Sequence, residues 1–334
     1  MASQPVHRRR PAGADRGAAV SVERPSGASA SGDPHLGSEA APPVSGPAAA
    51  PPATVSAGPP ARAAVDNRRD AVCTLHRGDR PLLVSLPHVG TELPADQHGR
   101  YLPRALEVED TDWHLERLYG FVRGLGVSLL VPRYSRYLID LNRPPEDAPM
   151  YPGINNTELC PTRFFTGEPL YREGRAPDAA EIARRVDRYW RPYHRALEDE
   201  LERLRARHGH VVLFEGHSIR SELPWLFEGR LPDLNLGTVD GHSCAPSLRE
   251  SLAAVLASQD DFSHVVDGRF KGGYITRHYG RPQRGVHAVQ LEMCWRCYMA
   301  EAAPYAFEDA RTAAVRPLVR RLVDAMLAWS PNGR

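Results

Sequence analysis

The sequence predicts an α/β sandwich with a mixed, mostly parallel central sheet, and two observations support this prediction. Short apolar runs alternate with longer amphipathic stretches, as strands and helices do in α/β folds. Each apolar run is nearly continuous, which is typical of parallel strands covered on both faces.

The first 60 residues have a different composition, with 11 Pro, 14 Ala, 7 Gly and 8 Ser. Because such a segment buries too little apolar surface to offset its ordering entropy, we expect a disordered tail over residues 1–70 and one domain over residues 71–334.

The predicted elements of the first half alternate along the chain. Residues 81–87 form a short apolar run closed by proline, which predicts a buried strand and a turn. Residues 110–122 begin with acidic residues and then place apolar side chains at helical spacing, which predicts a helix. Residues 127–132 and 137–141 are predicted as strands, the second of them closed by the polar and proline-rich residues 142–145.

The second half continues this alternation. A long charged helix is predicted over residues 178–208, with a kink at Pro192 because proline cannot donate the helical hydrogen bond. The remaining predicted elements are a strand at 210–214, a strand beginning at 234, a helix at 246–256, a strand at 286–292 and a helix at 310–329.

The composition disfavours several classes of protein. The 42 Lys and Arg residues nearly balance the 41 Asp and Glu, which argues against a general nucleic-acid binder. We find no apolar window of 18 or more residues and no apolar stretch after residues 8–10, so neither a membrane span nor a secretory signal is predicted. Five cysteines fit a reducing compartment better than a disulfide scaffold, and we expect a cytoplasmic protein.

Polar side chains follow four of the predicted strands, at the point where each strand ends. They are His88, Asn142 with Arg143, Glu215 with His217, and Glu292. In open α/β sheets, ligand-binding and catalytic residues usually lie just beyond the carboxyl ends of the strands. We therefore expect these groups to lie close together.

The two histidines are candidate metal ligands. A catalytic zinc site takes three protein ligands, usually histidines and carboxylates, and leaves one position open. His88 and His217 could meet on adjacent strands. Asp110 and Asp112 open the next helix and Glu92 lies four residues after His88, so the spacing leaves three acids as the possible third ligand.

The remaining groups suggest a general base and an anion receptor. A carboxylate at the position of Glu292 beside a metal suits proton abstraction from water, although it could also cap the next helix. Asn142 and Arg143 could bind a carboxylate, since a guanidinium pairs with it through two hydrogen bonds, or Arg143 could satisfy loop carbonyls. Further cations that suggest an acidic substrate are Arg220, Arg269, Lys271 and Arg277.

Other motifs carry less chemistry. Cys294 and Cys297 form a single CxxC pair, and we expect two ordinary thiols because a structural zinc would need a second pair. Ser218 does not lie in a G-x-S-x-G motif, and the glycines at 272 and 273 lack phosphate-loop spacing.

Seven motifs follow one another along the folded part of the chain. They are SLPHVG (85–90), DTDWH (110–114), SRYLIDLNRP (135–144), GHSIRS (216–221), LPDLNLG (231–237), GRFKGGYITRHYG (268–280) and VQLE (289–292). Taken together in this order, they resemble those of the N-formylglutamate deformylase (N-formylglutamate amidohydrolase) family, and the resemblance extends over residues 81–329.

The resemblance implies a zinc-carboxypeptidase-like fold and a bound divalent metal, expected to be zinc. It also implies hydrolysis of N-formyl-L-glutamate to formate and L-glutamate in histidine breakdown. The metal ligands would be His88, Asp112 and His217, with Glu292 as general base. Family members often carry Asp two residues before the second histidine, where this chain has Glu215. That acid would orient a metal ligand from outside the coordination shell.

The predicted substrate is a small acidic N-formyl amino acid. Asn142 and Arg143 are similar to the pair that binds the terminal carboxylate in carboxypeptidases, and Arg220 or Arg277 would bind the second carboxylate. Two other interpretations stay open. One is a related metal amidohydrolase acting on another N-acyl or N-formimino amino acid, and the other is a metal-free binding protein for an acidic ligand. The oligomeric state is not predicted.

Overall fold

The computed structural model describes residues 71–148 and 156–333. The predicted tail, residues 1–70, lies outside the described residues, so its disorder and the domain boundary at residue 71 stay predictions. Within the described part of the chain, no helix combines the length and the apolar character that a membrane span requires.

A seven-stranded mixed sheet forms the centre of the fold. The strands are β1 (Cys73–His76), β2 (Leu82–Ser85), β3 (Ser128–Pro132), β4 (Val211–Ile219), β5 (Leu234–Gly237), β6 (His264–Val266) and β7 (Val286–Cys294). Their order in the sheet is β1-β3-β2-β4-β7-β5-β6. The four central strands β3, β2, β4 and β7 are parallel, β1 and β5 run antiparallel to their inner neighbours, and β6 is parallel to β5. The predicted mixed α/β class is confirmed.

Helices cover both faces of this sheet. They are α1 (Leu115–Tyr119), α2 (Ala179–Arg185), α3 (Arg191–His208), α4 (Pro246–Ala257), α5 (Tyr274–Tyr279) and α6 (Asp309–Ala328). Because successive side chains of a strand point to opposite faces, Leu82 and Val84 of β2 enter one core while Leu83 enters the other. The first core includes Leu248 of α4 and side chains of α6, and the second includes Leu197 of α3.

The strand predicted over residues 137–141 is wrong. The segment is a series of turns, although its apolar side chains are buried. Its backbone groups bond to turn and loop residues instead of a neighbouring strand: the amide of Leu138 donates to the Ser135 carbonyl, and that of Asp140 donates to the Leu159 carbonyl. A short apolar run predicts that its side chains are buried, but it does not by itself distinguish a strand from a buried turn.

Two helix boundaries also differ from the prediction. The helix predicted from residue 110 begins only at Leu115, because His114 takes a left-handed conformation with φ of 62°. The helix predicted over residues 178–208 is divided by the π-helical turn Val186–Trp190, directly before Pro192. Proline lacks the N–H that would continue the regular ladder, so the predicted kink takes the form of a local widening.

The five cysteines are all free thiols. In the CxxC pair, the Cys294 thiol donates to the Pro232 carbonyl at 3.2 Å, and burial raises its pKa to about 12. Burial likewise raises the pKa of the Cys297 thiol. These are the properties of ordinary buried thiols rather than of metal ligands or redox groups.

His194 connects α3 to the loop that carries Asn142. One ring nitrogen lies 2.9 Å from the Leu141 carbonyl oxygen and the other 3.0 Å from the Tyr279 hydroxyl. Burial lowers the pKa of this imidazole to about 3. In the unfolded chain, this histidine has an ordinary pKa of about 6.5. Between these two pKa values, it is therefore protonated in the unfolded chain and neutral in the folded one.

We expect this difference to make the protein less stable as the pH falls below the unfolded-state pKa. Replacing His194 by Gln keeps an amide donor for the Leu141 carbonyl but removes the titration. Between about pH 5.5 and 4, the free energy of unfolding should fall less steeply in His194→Gln, by about 1.4 kcal/mol per pH unit. Urea denaturation followed by circular dichroism at several pH values measures this, and equal slopes in both proteins would contradict it.

Candidate active site

Two histidines and one aspartate converge at the carboxyl ends of β2 and β4. The Nδ1 atoms of His88 and His217 lie 3.1 Å apart, and Asp112 Oδ2 lies 3.3 Å from His217 Nδ1 and 3.8 Å from His88 Nδ1. Three ligands at tetrahedral angles around one zinc ion, with bonds of about 2.0–2.1 Å, are separated by about 3.3 Å. All three residues are buried, and their geometry fits one divalent ion.

The sheet explains this convergence. His88 follows β2 after Pro87, whereas His217 lies inside β4 because that strand continues to Ile219. Asp112 comes from the loop before α1, and two hydrogen bonds fix it: its amide donates to the His88 carbonyl at 3.0 Å, and its carboxylate accepts the Ser218 amide at 3.1 Å.

The structure distinguishes the three acids that the spacing left open. The carboxylate of Asp110 accepts bonds from the Tyr137 hydroxyl at 2.7 Å and the Phe165 amide at 2.9 Å. Glu92 pairs with Arg133 at 2.7 Å on the surface. Of the three candidates, Asp112 is the acid placed between the two imidazoles.

Acidic side chains lie behind both histidines. His88 Nε2 lies 2.7 Å from Asp140 Oδ1, and His217 Nε2 lies 3.3 Å from Glu215 Oε1. Carboxylates in this position orient an imidazole and fix the nitrogen that carries its proton. Glu215 is thus where the resemblance places an orienting acid, and its other oxygen accepts the Thr276 hydroxyl at 2.7 Å. Our sequence interpretation missed Asp140, although a single acid in an apolar run is costly to bury and could have indicated it.

The two imidazoles differ in their electrostatic environments. Burial lowers the pKa of His88, and the nearby positive charge of Arg136 acts in the same direction. Burial would also lower the pKa of His217, but hydrogen bonds with Asp112 and Glu215 outweigh it and raise the value to about 10. The surroundings of His217 therefore favour a positive charge, either a proton or a metal ion.

Glu292 lies beside this cluster because β7 pairs with β4. His217 and Glu292 occupy register positions directly across from each other on the two parallel strands. Burial raises the pKa of Glu292 to about 8, although the charge of His217 opposes the rise. A carboxyl group with a raised pKa is better suited to accept a proton near neutral pH than an ordinary one.

The cluster opens into a pocket of about 670 Å³, part of which is open to solvent. Its lining includes His88, Asp112, Arg136, Asn142, Arg143, Asn156, Thr157, Phe165, His217, Ser218, Ile219, Leu226, Phe227, Arg269, Phe270, Gly273, Gln290 and Glu292. Acidic and imidazole groups therefore share one pocket with three arginines of the described part of the chain.

The structure brings only part of the predicted substrate-binding set to this pocket. Asn142 is there, but its amide nitrogen lies 3.1 Å from His217 Nε2 and its oxygen accepts the Ile275 amide. Arg143 is also there, and two of its nitrogens donate to the backbone carbonyl and the hydroxyl of Thr157.

Arg220 and Arg277 are not among the described residues that line the pocket. Arg220 donates to the Tyr305 hydroxyl at 2.7 Å, and Arg277 donates to the Gly272 carbonyl at 2.9 Å. Sequence spacing suggested many cations near one rim, but it did not show which of them face inward. Of these cations, Arg269 lines the pocket, and the choice of a second carboxylate receptor stays a prediction.

A model of the N-formylglutamate amidohydrolase family matches residues 80–299. The chain belongs to this family. The matched range contains both histidines, Asp112 and Glu292. The resemblance inferred from the seven motifs is confirmed, and the chain is a hydrolase of the class that acts on amide bonds.

Individual relatives support the family assignment. The chain is 50% identical over 260 residues to an N-formylglutamate deformylase of Pseudomonas aeruginosa and 46% identical over 260 residues to one of Pseudomonas putida. Each alignment covers 78% of this chain and 97% of the relative. The crystal structure of an N-formylglutamate amidohydrolase from Ralstonia eutropha JMP134 matches 77% of this chain and 96% of its own, with a TM-score of 0.65 and 28% identity.

We expect chelator-treated protein to take up about one zinc ion per chain, measured by competition with a chromophoric chelator. Asp112→Asn should weaken zinc binding by more than about 100-fold, because it removes a charged ligand. Asp110→Asn is the matched control, since this equally buried aspartate bonds to Tyr137 and Phe165. Equal zinc affinity in the two variants would contradict the assignment of Asp112.

Proposed function

We propose that the protein hydrolyses N-formyl-L-glutamate to formate and L-glutamate, using a divalent metal, expected to be zinc, held by His88, Asp112 and His217. The observation that carries the proposal is the close approach of these three ligand atoms beside the buried Glu292. The substrate is inferred from the two Pseudomonas relatives, which are both N-formylglutamate deformylases.

The residues fit the metal on two grounds. The spacing of the three ligand atoms matches one small tetrahedral ion, and His217 lies where acidic neighbours favour positive charge. A divalent metal held there would supply Lewis-acid chemistry, polarising the formyl carbonyl and lowering the pKa of water. The cluster of buried acids and histidines also favours this proposal over a metal-free binding protein, which would need neither His217 nor Glu292.

Glu292 acts as general base and then as general acid in the proposed reaction. It takes the proton of the water that attacks the formyl carbon, and it returns a proton to the nitrogen as the C–N bond breaks. Its position opposite His217 places it at the same end of the sheet as the metal ligands. Its raised pKa favours holding the proton between the two steps.

Arg136 and Arg143 supply positive charge at different points. Arg136 donates to Asp140 at 2.6 Å and lies 3.2 Å from His88 Nδ1, so its charge is available to a developing oxyanion beside the metal cluster. Within the described residues, Arg143 forms no ion pair, and its nitrogens donate to the neutral oxygens of Thr157 and Asn142. It is suited to bind the α-carboxylate of the substrate.

Three further properties belong to the proposal. Residues 71–334 form one catalytic domain. The parallel strands that end at the three proposed metal ligands support a relationship to zinc carboxypeptidases. The five free thiols support a reducing compartment such as the cytoplasm.

Formate release tests the function directly. We expect zinc-loaded protein to release formate from N-formyl-L-glutamate, to lose this activity on treatment with a chelator, and to regain it when zinc is restored. N-acetyl- and N-formimino-L-glutamate, assayed in parallel, should be poorer substrates. No formate release with any divalent metal would overturn the proposed function, and faster hydrolysis of another acyl group would reassign the substrate.

Replacing Glu292 by Gln tests the proton transfer. The variant should keep its zinc affinity within about threefold, because Glu292 is not a ligand, while kcat falls by about 10³-fold. Glu200→Gln is the matched control, since Glu200 is a buried glutamate of α3 paired with Arg203 outside the pocket. Near-normal turnover in Glu292→Gln would remove this residue from the proposed role.

A further inference from the structure

Three arginines are among the described residues that line the pocket, and the proposed function assigns a task to two of them. Arg136 is bonded to Asp140 beside the metal cluster, and Arg143 is held by neutral oxygens where it can meet one carboxylate. A dicarboxylic substrate brings a second carboxylate into the same pocket. Arg269 is the third arginine of the lining.

Arg269 lies at the end of an apolar wall. Its Nη2 atom donates to the Leu226 carbonyl at 3.2 Å, and its guanidinium lies 5.5 Å from the ring centre of Phe270. The Phe227 and Phe270 rings meet edge to face with centres 6.3 Å apart. Leu226, Phe227 and Phe270 all line the pocket. An apolar wall that ends at a cation complements a short aliphatic chain that ends in a carboxylate.

The segment that carries Arg269 is held firmly. The carboxylate of Asp267 accepts bonds from the Thr238 amide and from Arg249. On the other side, the Lys271 carbonyl accepts the Val239 amide at 2.7 Å. A guanidinium held in place before binding loses less entropy when it meets its ligand.

The segment also packs directly on the sheet. A methyl group added at Gly237 of β5 would come within 2.7 Å of the Gly272 amide nitrogen, so the backbones touch here. The Gly273 amide donates to the Gln290 side chain at 2.7 Å, and Gln290 is on β7, two residues before Glu292. These contacts link the position of Arg269 to the strand that carries the proposed base.

The other cations of this part of the chain have different surroundings. Lys271 pairs with Asp240 at 2.9 Å, and neither it nor Arg277 is among the described lining residues. Arg220 lies against the Tyr305 and Trp295 rings.

We propose that Arg269 binds the side-chain carboxylate of the substrate, while Arg143 binds the α-carboxylate. The methylene groups between them pack on Leu226, Phe227 and Phe270. Arg269 is then the residue that selects N-formyl amino acids with a second carboxylate, in place of the expected Arg220 or Arg277. This inference rests on the proposed function.

A pair of substrates isolates this role. N-formyl-L-glutamate and N-formyl-L-glutamine differ only in the side-chain group, a carboxylate in one and a neutral amide in the other. A site built around a charged pair discriminates strongly against a substrate that leaves the charge without its partner. The ratio of the two kcat/KM values measures this selection, and it does not depend on the fraction of enzyme that is folded or zinc-loaded.

We expect the wild-type ratio to favour N-formyl-L-glutamate and to fall by about 100-fold in Arg269→Gln. Arg143→Gln should lower both kcat/KM values and leave the ratio within about threefold, because both substrates carry the α-carboxylate. Arg249→Gln is the structural control. It removes a hydrogen bond to Asp267 in the same segment, and it should change the kcat/KM values of both substrates by the same factor. Arg277→Gln should leave the ratio unchanged.

Several results would overturn the inference. The first is a wild-type ratio near one. The second is an unchanged ratio in Arg269→Gln, which includes the case in which both kcat/KM values fall by the same factor. The third is a fall of the ratio in Arg277→Gln instead. The failure of the proposed function looks different: zinc-loaded wild-type protein would then release no formate from either substrate.

Discussion

The structure of the site depends on the mutual compensation of charges buried at the carboxyl ends of adjacent parallel strands. A carboxylate or a protonated imidazole removed from water without a partner costs several kcal/mol, on the order of the stability of a whole domain. Here Asp140 lies between His88 and Arg136, while His217 lies among acids that include Glu215. The charges of Asp140, Arg136 and His217 are tolerated because a group of opposite charge or a hydrogen-bond partner lies beside each of them.

This compensation also fixes geometry. The Asp112 amide is bonded to the His88 backbone and its carboxylate to the Ser218 backbone, so three segments distant in sequence hold one another in register. The Tyr298 hydroxyl adds a further link, since it bonds to both the Ser218 side chain and the Trp113 carbonyl. Side chains held in this way would need little rearrangement to bind a cation, and preorganisation of this kind makes electrostatic catalysis effective.

The pocket carries two kinds of charged group that suit the two ends of an acidic amide. Acids and imidazoles lie at the ends of β2, β4 and β7, where water and the formyl group would react. Arg143 and Arg269 also line the pocket, together with aromatic and aliphatic side chains. Because binding energy gained at the carboxylates can be used to orient the reacting group, the two kinds of group are expected to cooperate in rate as well as in affinity.

Much of this could be predicted from the sequence because it depends on local pattern. The α/β class follows from continuous apolar runs between amphipathic stretches, and the rule that chemistry gathers at strand ends correctly brought His88, His217 and Glu292 together. The turns at residues 137–141 could not be predicted, since burial alone does not report hydrogen-bond partners.

Only the tertiary structure decided which charged groups meet. Asp110 and Asp112 are two residues apart and are the same type of residue, yet one bonds to Tyr137 and the other faces two imidazoles. Arg269 and Arg277 lie in one motif, but only Arg269 lines the pocket as the structure describes it. The physical reason is that periodicity encodes which residues are buried, whereas the pairing of charges depends on long-range contacts between segments that the chain brings together only when it folds.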